Sequence, residues 1–590
     1  MFTNISDHLE GARQKKYNDK NGWHNMFWHY ITSAIDERKY KPLFAEKMGS
    51  PNAPIRILLS MMILKEGFGL SDERLFEVCQ FDLLVMKALG INNIDDDLPC
   101  PATYYNLKNA IYRHHVEQGE DMVGETFRQL TKNQAKVFGV TGEFARMDSK
   151  LMGSNIAKCS RLQLILSVLQ VFYKSIKDED ALLCRLDEEE RERLTTLSSQ
   201  KPGQIVYKMD NPSKEEMLEE LGYLLLRIME RYSEADSDKY HLITRILSEQ
   251  YQVKGEKISI KEVKEIQADS LQSPHDEDAA FRNKGGTKVQ GYSVNLTETC
   301  NEEGLNLVTN VKVEKATAAD NDFVPESIEK SQEVVGHIDH LNADGAYHSE
   351  NNNRYAGKNE TDLILSDMQG KKGKYSFEVE AEGTVHPVES DKVSAKFTLK
   401  GTPLGQFHRV KVTNTHTGEI FDAEHYKKGK WKIRDNGNIK YFSYAFILSY
   451  FNRLRVEDIP RSEKNRRNNV EASIFQLSYF TRNNKTRYRS KYTNQLWAYN
   501  RCLWMNMIRI RNYMGEVCPI EPDFNKKVGL LAKNALRYSL LVQMVVLNFF
   551  NRNFLQKIFG VLIKDLFICT DCYIGEVSSL LIQHNFKKPF

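Results

Sequence analysis

The stretch EFARMDSKLMGSN (residues 143–155) places an acidic residue inside a strand-like pattern. Phe144 and Met147 have the spacing of half-buried strand positions, and Asp148 follows them directly. A second stretch, HIDHLNADGAYHSE (337–350), repeats the arrangement with Asp344 at the end of an apolar run. An aspartate in such a place is either a turn residue or a metal ligand, because Mg²⁺ prefers carboxylate oxygens.

The bulk composition is that of a globular protein from a reducing compartment. With 590 residues the chain is too long for one core, and we expect three or four domains. Its 41% apolar and 27% charged residues exclude a disordered or fibrous chain. Nine cysteines without a regular framework indicate reduced thiols. The longest apolar run, 538–550, is too short to span a bilayer, so we expect a cytoplasmic protein with no membrane partner.

The first part of the chain has a helical pattern. Pro54 followed by the apolar stretch 55–66 predicts one helix, Ser71 is the expected N-cap of a second, and a third begins near Thr103. Short helices joined by a glycine turn predict a helix-turn-helix-like unit, although a plain helical bundle would show the same periodicity. We assign residues 1–135 to this all-α domain.

From residue 138 the pattern changes to strands that two insertions interrupt. Strand patterns cover 138–152, 286–300, 305–318, 337–344 and 361–367, and a helix is expected over 322–336. The predicted units are a core of 136–159, 275–369 and 440–515, a helical insertion over 160–274, a β-rich insertion over 370–439 and a C-terminal helical segment over 516–590.

Without its insertions, the core reads strand, strand, strand, helix, strand, strand, helix. An antiparallel meander followed by crossover connections is the element order of a ribonuclease-H-like sheet. The first and fourth strands of such a sheet lie side by side. Asp148 and Asp344 would then reach one spot, in a multidomain α/β protein.

The best third carboxylate is Glu471. It is one of two acids among nine basic residues between positions 461 and 491. Val470, Ile474 and Leu477 form an apolar stripe at helical spacing, which leaves Glu471 at the margin of a helix that packs on the sheet.

The basic run around Glu471 repels itself unless it faces a polyanion, although a solvated helix and loop remain the alternative. Tyr479, Tyr488 and Tyr492 alternate with basic residues, which suits contacts to DNA. The candidate DNA-binding residues are Arg466, Arg467, Arg482, Lys485, Arg487, Arg489 and Lys491.

Four motifs resemble those of insertion-sequence transposases of the DDE class, in the group with a long insertion in the catalytic core. They lie at 54–111, at 145–161 (ARMDSKLMGSNIAKCSR), at 273–300 with 342–349 (NADGAYHS), and at 466–477 (RRNNVEASIFQL). The resemblance implies a ribonuclease-H-like core in which Asp148, Asp344 and Glu471 form a catalytic triad. It implies two Mg²⁺ ions held by that triad, with Mn²⁺ as a substitute, and it places Arg467 at the basic position before the glutamate.

Two positions depart from the related signature. Lys464 stands where that signature has a tyrosine, and Ser478 stands where it has a lysine. Arg482 and Lys485 are the candidates for the missing contact with the DNA end.

The function that the resemblance implies is DNA transposition. The N-terminal helices would bind the terminal inverted repeats of the element, and the core would cleave the ends and join the 3′-hydroxyls to target DNA. The expected partners are double-stranded DNA and a second copy of the chain, because two ends must be joined. Two alternatives are a Mg²⁺-dependent structure-directed DNA nuclease and a catalytically idle, element-derived DNA-binding regulator.

Overall fold

A computed structural model describes residues 4–44, 53–207, 209–255, 257–301, 304–368, 373–381, 407–427, 430–460 and 468–517. Over these ranges the protein is a multidomain α/β structure with several hydrophobic cores. No helix in the described ranges combines the length and the apolar character needed to cross a membrane.

The N-terminal part is helical, as the sequence predicts. Its α-helices are α1 (Gly11–Tyr17), α2 (Trp23–Tyr30), α3 (Ile55–Phe68), α4 (Asp72–Phe81), α5 (Leu83–Leu89), α6 (Pro101–Gln118) and α7 (Met122–Phe138). Gly69 ends α3 with a left-handed backbone (φ 68°), which glycine adopts without strain. Ser71 caps α4 by accepting the N–H of Arg74, so the predicted cap is confirmed.

The first strand of the core, β1 (Phe144–Gly153), is followed by a unit with its own hydrophobic core. The unit contains α8 (Arg161–Ile176), α9 (Asp180–Leu183), α10 (Glu188–Ser198), α11 (Pro202–Tyr207), α12 (Asn211–Arg231), α13 (Tyr240–Gln250), β2 (Tyr251–Lys254) and β3 (Lys257–Ile260). Helical structure is confirmed as far as Gln250 and is wrong for most of 251–274. Residues 251–260 form a β-hairpin because Gly255 allows a left-handed turn (φ 61°) between two strands that contain aromatic or β-branched residues, Tyr251 with Val253 and Ile258 with Ile260. Residues 261–274, all of them described, hold one short 3₁₀ turn, Val263–Glu265.

The central sheet resumes after this unit. Its further elements are β4 (Ala280–Lys284), β5 (Thr287–Thr299), β6 (Val308–Lys315), α14 (Val324–Val335), β7 (His340–Ala343), α15 (Glu350–Lys358) and β8 (Asp362–Leu365). Strand β1 pairs antiparallel with β5 and parallel with β7, β5 pairs antiparallel with β6, and β7 pairs parallel with β8. The order is therefore β6-β5-β1-β7-β8, with β4 also paired to β5. The sequence pattern did not predict β4 and α15.

The rest of the described chain consists of a second sheet and a group of long helices. The elements are β9 (Tyr375–Ala381), β10 (Phe407–Asn414), β11 (Ile420–Tyr426), β12 (Lys430–Asp435), β13 (Asn438–Ser443), α16 (Tyr444–Asp458), α17 (Asn468–Leu477) and α18 (Lys491–Val517). Strands β9 to β13 form an antiparallel sheet with its own core, which confirms the β-rich pattern after residue 370. Residues 382–406 of the predicted β-rich insertion and residues 518–590 of the predicted C-terminal segment lie outside the described residues.

The two faces of β1 meet different helices because side chains alternate across a strand. Ala145 and Met147 share a core with Ile328 of α14 on one face. Met152, on the other face, shares a core with Ile474 of α17. Asp148 is four residues before Met152, so its side chain lies on the same face of β1, the face that α17 covers.

Gly291 of β5 pairs with Gly153 at the end of β1, where the two backbones lie close together. A β-carbon there would lie 2.3 Å from the carbonyl oxygen of Met152 and 2.6 Å from the amide nitrogen of Ser154. We expect Gly291→Ala to lower the free energy of unfolding by about 1–3 kcal/mol, because backbone atoms must move. Urea denaturation measures the change. In the control, Gly203→Ala in α11, the nearest atom is a side-chain nitrogen at 3.6 Å, so no loss is expected; equal losses would contradict the close approach.

Candidate active site

Asp148 and Asp344 lie on neighbouring parallel strands. Phe144, Ala145 and Arg146 of β1 are in register with His340, Leu341 and Asn342 of β7. Two residues further along each strand, this register brings Asp148 level with Asp344, which directly follows β7. Parallel strands lie about 4.8 Å apart, so the backbones at these two positions are neighbours. The predicted adjacency of the first and fourth strands is confirmed.

The surrounding hydrogen bonds orient both carboxylates. The amide of Ser149 donates to Oδ1 of Asp148 at 2.8 Å, and the amide of Ala346 donates to Oδ1 of Asp344 at 2.8 Å. Both side chains are half-buried. Burial, together with the negative charges of Asp148 and Asp344 among others, raises the pKa of Tyr347 well above its usual value. Both carboxylates therefore oppose ionisation of the same hydroxyl group.

Helix α17 carries Glu471 across the same face of the sheet. Val470, Ile474 and Leu477 are buried at 0%, 6% and 2% exposure, so the predicted apolar stripe is confirmed. Glu471 itself is exposed at the margin of the helix. Within the described parts of the chain, no group of three or more His, Cys, Asp or Glu side chains is arranged closely enough to hold a metal ion. The adjacent pair Asp148 and Asp344 has the oxygen donors that Mg²⁺ prefers, and Glu471 would have to approach this pair.

A buried ionic network fastens α17 to the sheet. Glu298 of β5 is 0% exposed and accepts from Nε of Arg146 at 2.6 Å and from Nη1 of Arg509 at 2.8 Å. Ser473 of α17 donates to the second oxygen of Glu298 at 2.7 Å. The network therefore holds α17 two residues from Glu471. Sequence reasoning missed it, because these partners come from distant parts of the chain.

Four of the five described residues among the predicted DNA-binding candidates make side-chain contacts with the protein. Lys485 donates to the carbonyl of Ile156, Arg489 to that of Asn155, and Lys491 forms an ion pair with Glu314. Arg487 donates to the carbonyls of Gly69 and Leu70, just beyond the end of α3, and Arg482 is exposed. Arg466 and Arg467 lie outside the described residues. Contact with DNA stays a prediction for all seven.

Two of the three tyrosines proposed to face DNA point into the protein instead. The Tyr488 hydroxyl donates to Glu66 of α3, and Tyr492 is 7% exposed and stacks on His115 of α6. Burial raises the pKa of the Glu66 carboxyl. Tyr479 is 63% exposed. The stretch around 488–492 therefore joins the N-terminal helices to the core, because its aromatic residues complete a shared hydrophobic cluster.

Asp362 of β8 anchors α16, the helix that precedes the Glu471 segment. Arg455 of α16 donates to both oxygens of Asp362, through Nη1 at 2.7 Å and through Nη2. Burial opposes the charge of Asp362, but the nearby His340 and the hydrogen bonds and charge of Arg455 outweigh it and lower the pKa to about 2.

Arg455→Met should therefore destabilise the protein in a pH-dependent way. A carboxyl with a lowered folded pKa stabilises the fold above its unfolded pKa of about 4, and this contribution disappears as the pH falls through about 2. We expect the free energy of unfolding of the wild type to be about 2–3 kcal/mol higher than that of Arg455→Met near neutral pH. The difference should be smaller at pH 2–3. Urea unfolding over a pH series measures the difference. Arg511 is exposed, so Arg511→Met is the control. A difference between wild type and Arg455→Met that does not change with pH would show that Arg455 does not lower the pKa of Asp362.

The N-terminal region matches a known protein family. Residues 15–109 match the family described as Transposase domain (DUF772). This match supports a transposase function for the protein. It covers the helical part of the chain from α1 to the middle of α6 and does not extend to the central sheet. No curated protein and no solved structure matches the chain.

Proposed function

We propose that the protein is a DDE-type DNA transposase with a ribonuclease-H-like catalytic core. One observation carries the proposal: β1 pairs parallel with β7 in the register that brings Asp148 of β1 level with Asp344, directly after β7, and the helix that bears Glu471 packs on β1. The strand order is β6-β5-β1-β7-β8. Strand β5 pairs antiparallel with both β6 and β1, whereas β7 and β8 run parallel to β1, and this arrangement supports a ribonuclease-H-like sheet. The transposase-domain match in the N-terminal helices supports the reaction class.

The roles of the residues follow from their positions. Asp148 and Asp344 would hold Mg²⁺, or Mn²⁺ in its place, with Glu471 as the third ligand. Two bound ions supply activation of the attacking oxygen and charge stabilisation at the leaving oxygen of a phosphodiester. The Ser149 and Ala346 amides orient the two aspartates, and the Glu298 network positions the helix of Glu471. The protein thus aligns substrate and acids without a covalent intermediate.

The surface around α17 has the character of a DNA-binding surface. Phe475 and Tyr479 are each 63% exposed and form an edge-to-face pair with ring centroids 6.1 Å apart. Arg482 and Arg489, both exposed, lie on the segment that follows. Exposed aromatic rings among basic side chains suit contact with DNA bases and phosphates. Two DNA ends must be brought together, so we propose a homodimer in the complex with DNA.

We propose that α6 contributes to recognition of the inverted repeats, since it presents Tyr105, Asn109 and Tyr112 to solvent. The N-terminal helices share one core with α17 and α18, so their deletion would expose apolar surface. Substitution of exposed residues is the better test. Asn109→Ala should weaken binding to the cognate repeat and leave binding to unrelated DNA unchanged.

A joining assay tests the proposed function. Protein and Mg²⁺ are incubated with a DNA fragment that ends in the inverted repeats flanking the coding region, and with a target plasmid. Cleaved ends joined to the plasmid through their 3′-hydroxyls are the expected product. Cleavage without joining would favour the nuclease, and end-specific binding without cleavage would favour the regulator.

A further inference from the structure

Lys150 is the cationic side chain of β1 that accompanies Asp148. It lies two residues after Asp148, so both side chains emerge on the face of the sheet that α17 covers. Its Nζ donates to Oγ of Ser478, just after the end of α17, at 2.9 Å. Ser478 is 7% exposed. The ammonium group therefore lies between the strand of Asp148 and the helix of Glu471.

The charge of Lys150 is not balanced within the described residues. Its ammonium has no carboxylate within ion-pair distance in those ranges, and its hydrogen-bond partner is a neutral hydroxyl. Lys491, in contrast, forms an ion pair with Glu314 at 3.1 Å. A half-buried ammonium beside a neutral partner gains stabilisation when an anion approaches it.

Ser478, the hydrogen-bond partner of Lys150, lies at a position that belongs to the family signature. Ser478 is the residue that stands where the related transposase signature has a lysine, seven positions after Glu471. We infer that Lys150 supplies the missing cation from β1, and that its ammonium contacts a phosphate of the DNA end bound at Asp148 and Asp344. The inference rests on the proposed function. It replaces Lys485 as the candidate for this contact, since Lys485 donates to the carbonyl of Ile156.

The test uses the full-length protein as wild type and as K150Q, K150R and the double variant K150Q/S478K. The exposed Lys288 of β5 gives the matched control, K288Q. Binding is measured over a series of salt concentrations with Ca²⁺ in place of Mg²⁺, on a fluorescent duplex that ends in the flanking inverted repeat. Cleavage and joining are measured in Mg²⁺ on the same duplex. Thermal unfolding shows whether each variant is folded.

Loss of one phosphate contact should make the negative slope of log K against log salt concentration smaller in magnitude by about one in K150Q. The slope should be unchanged in K288Q. Cleavage by K150Q should fall roughly ten- to hundred-fold, since charge-assisted hydrogen bonds are the strong ones. K150R should keep the slope. K150Q/S478K should regain the slope and part of the rate, because a lysine at 478 returns the cation to the same place.

The possible results separate this inference from the proposed function. If wild type joins DNA and K150Q does so equally well with an unchanged slope, Lys150 has no role at the DNA end. If K150Q is slower but keeps the slope, and S478K does not rescue it, Lys150 is only structural and the inference is wrong. If wild type neither cleaves nor joins DNA, the proposed function fails, whereas the slope still reports whether Lys150 meets a phosphate.

Discussion

Asp148→Asn should abolish DNA cleavage and joining while the protein stays folded and binds DNA. Asparagine keeps the shape of the side chain, and its Oδ1 can still accept the Ser149 amide that holds Asp148 at 2.8 Å. It removes the negative charge that a divalent cation needs. We expect the single-turnover cleavage rate to fall on the order of 10³-fold or more, because phosphoryl transfer depends on charge stabilisation at the transferred group.

Asp339→Asn is the matched control for this variant. Asp339 precedes β7, at the opposite end of the strand from Asp344, and it pairs with His337 at 3.3 Å. Its substitution should leave cleavage within about two-fold of wild type, as expected for a surface change away from the chemistry. A cleavage rate for Asp148→Asn equal to that of Asp339→Asn would show that the acidic pair has no part in the reaction.

Glu298→Ala should cause the largest loss of stability among single substitutions in the sheet. It leaves Arg146 and Arg509 buried without their shared carboxylate, and it removes the acceptor of Ser473. Breaking one side of a buried ionic network costs about 3–5 kcal/mol, since the remaining charges stay desolvated. Trp497, which is buried in the core formed with α17, reports the transition by fluorescence during urea unfolding.

The control for Glu298 is a glutamate on the neighbouring strand. Glu314 of β6 pairs with Lys312 and Lys491, but its side chain is 31% exposed. Glu314→Ala should cost less than about 1 kcal/mol, because water replaces the partner of an exposed ion pair. Equal losses for the two variants would mean that burial of Glu298 contributes nothing to the stability of the sheet.

The elements of the site follow from local sequence. The spacing of Val470, Ile474 and Leu477 predicts which face of α17 is buried, and the structure confirms it. The strand patterns around Asp148 and Asp344 are confirmed by β1 and β7. Periodicity succeeds here because a helix or strand has to turn its apolar side toward the core whatever its partner is.

The sequence misjudged the roles of residues whose partners are distant in the chain. Tyr488 follows the same alternation of basic and aromatic residues as Tyr479, but only Tyr479 is strongly exposed. Tyr488 reaches Glu66 of α3 instead. Local composition contains no information about a partner several hundred residues earlier, so a pattern of basic and aromatic residues cannot distinguish a surface from a domain junction.

The sequence by itself determined β1, β7 and α17, their order in the chain, and the positions of the three acids in or directly after them, but not β4, α15 or the β2–β3 hairpin. Only the tertiary structure decided that Asp148 and Asp344 stand level with each other, that Glu298 joins Arg146 to Arg509, and that Lys150 reaches Ser478. Element type depends on the periodicity of neighbouring residues, whereas these contacts depend on strand register and on how α17 and α18 pack over the sheet.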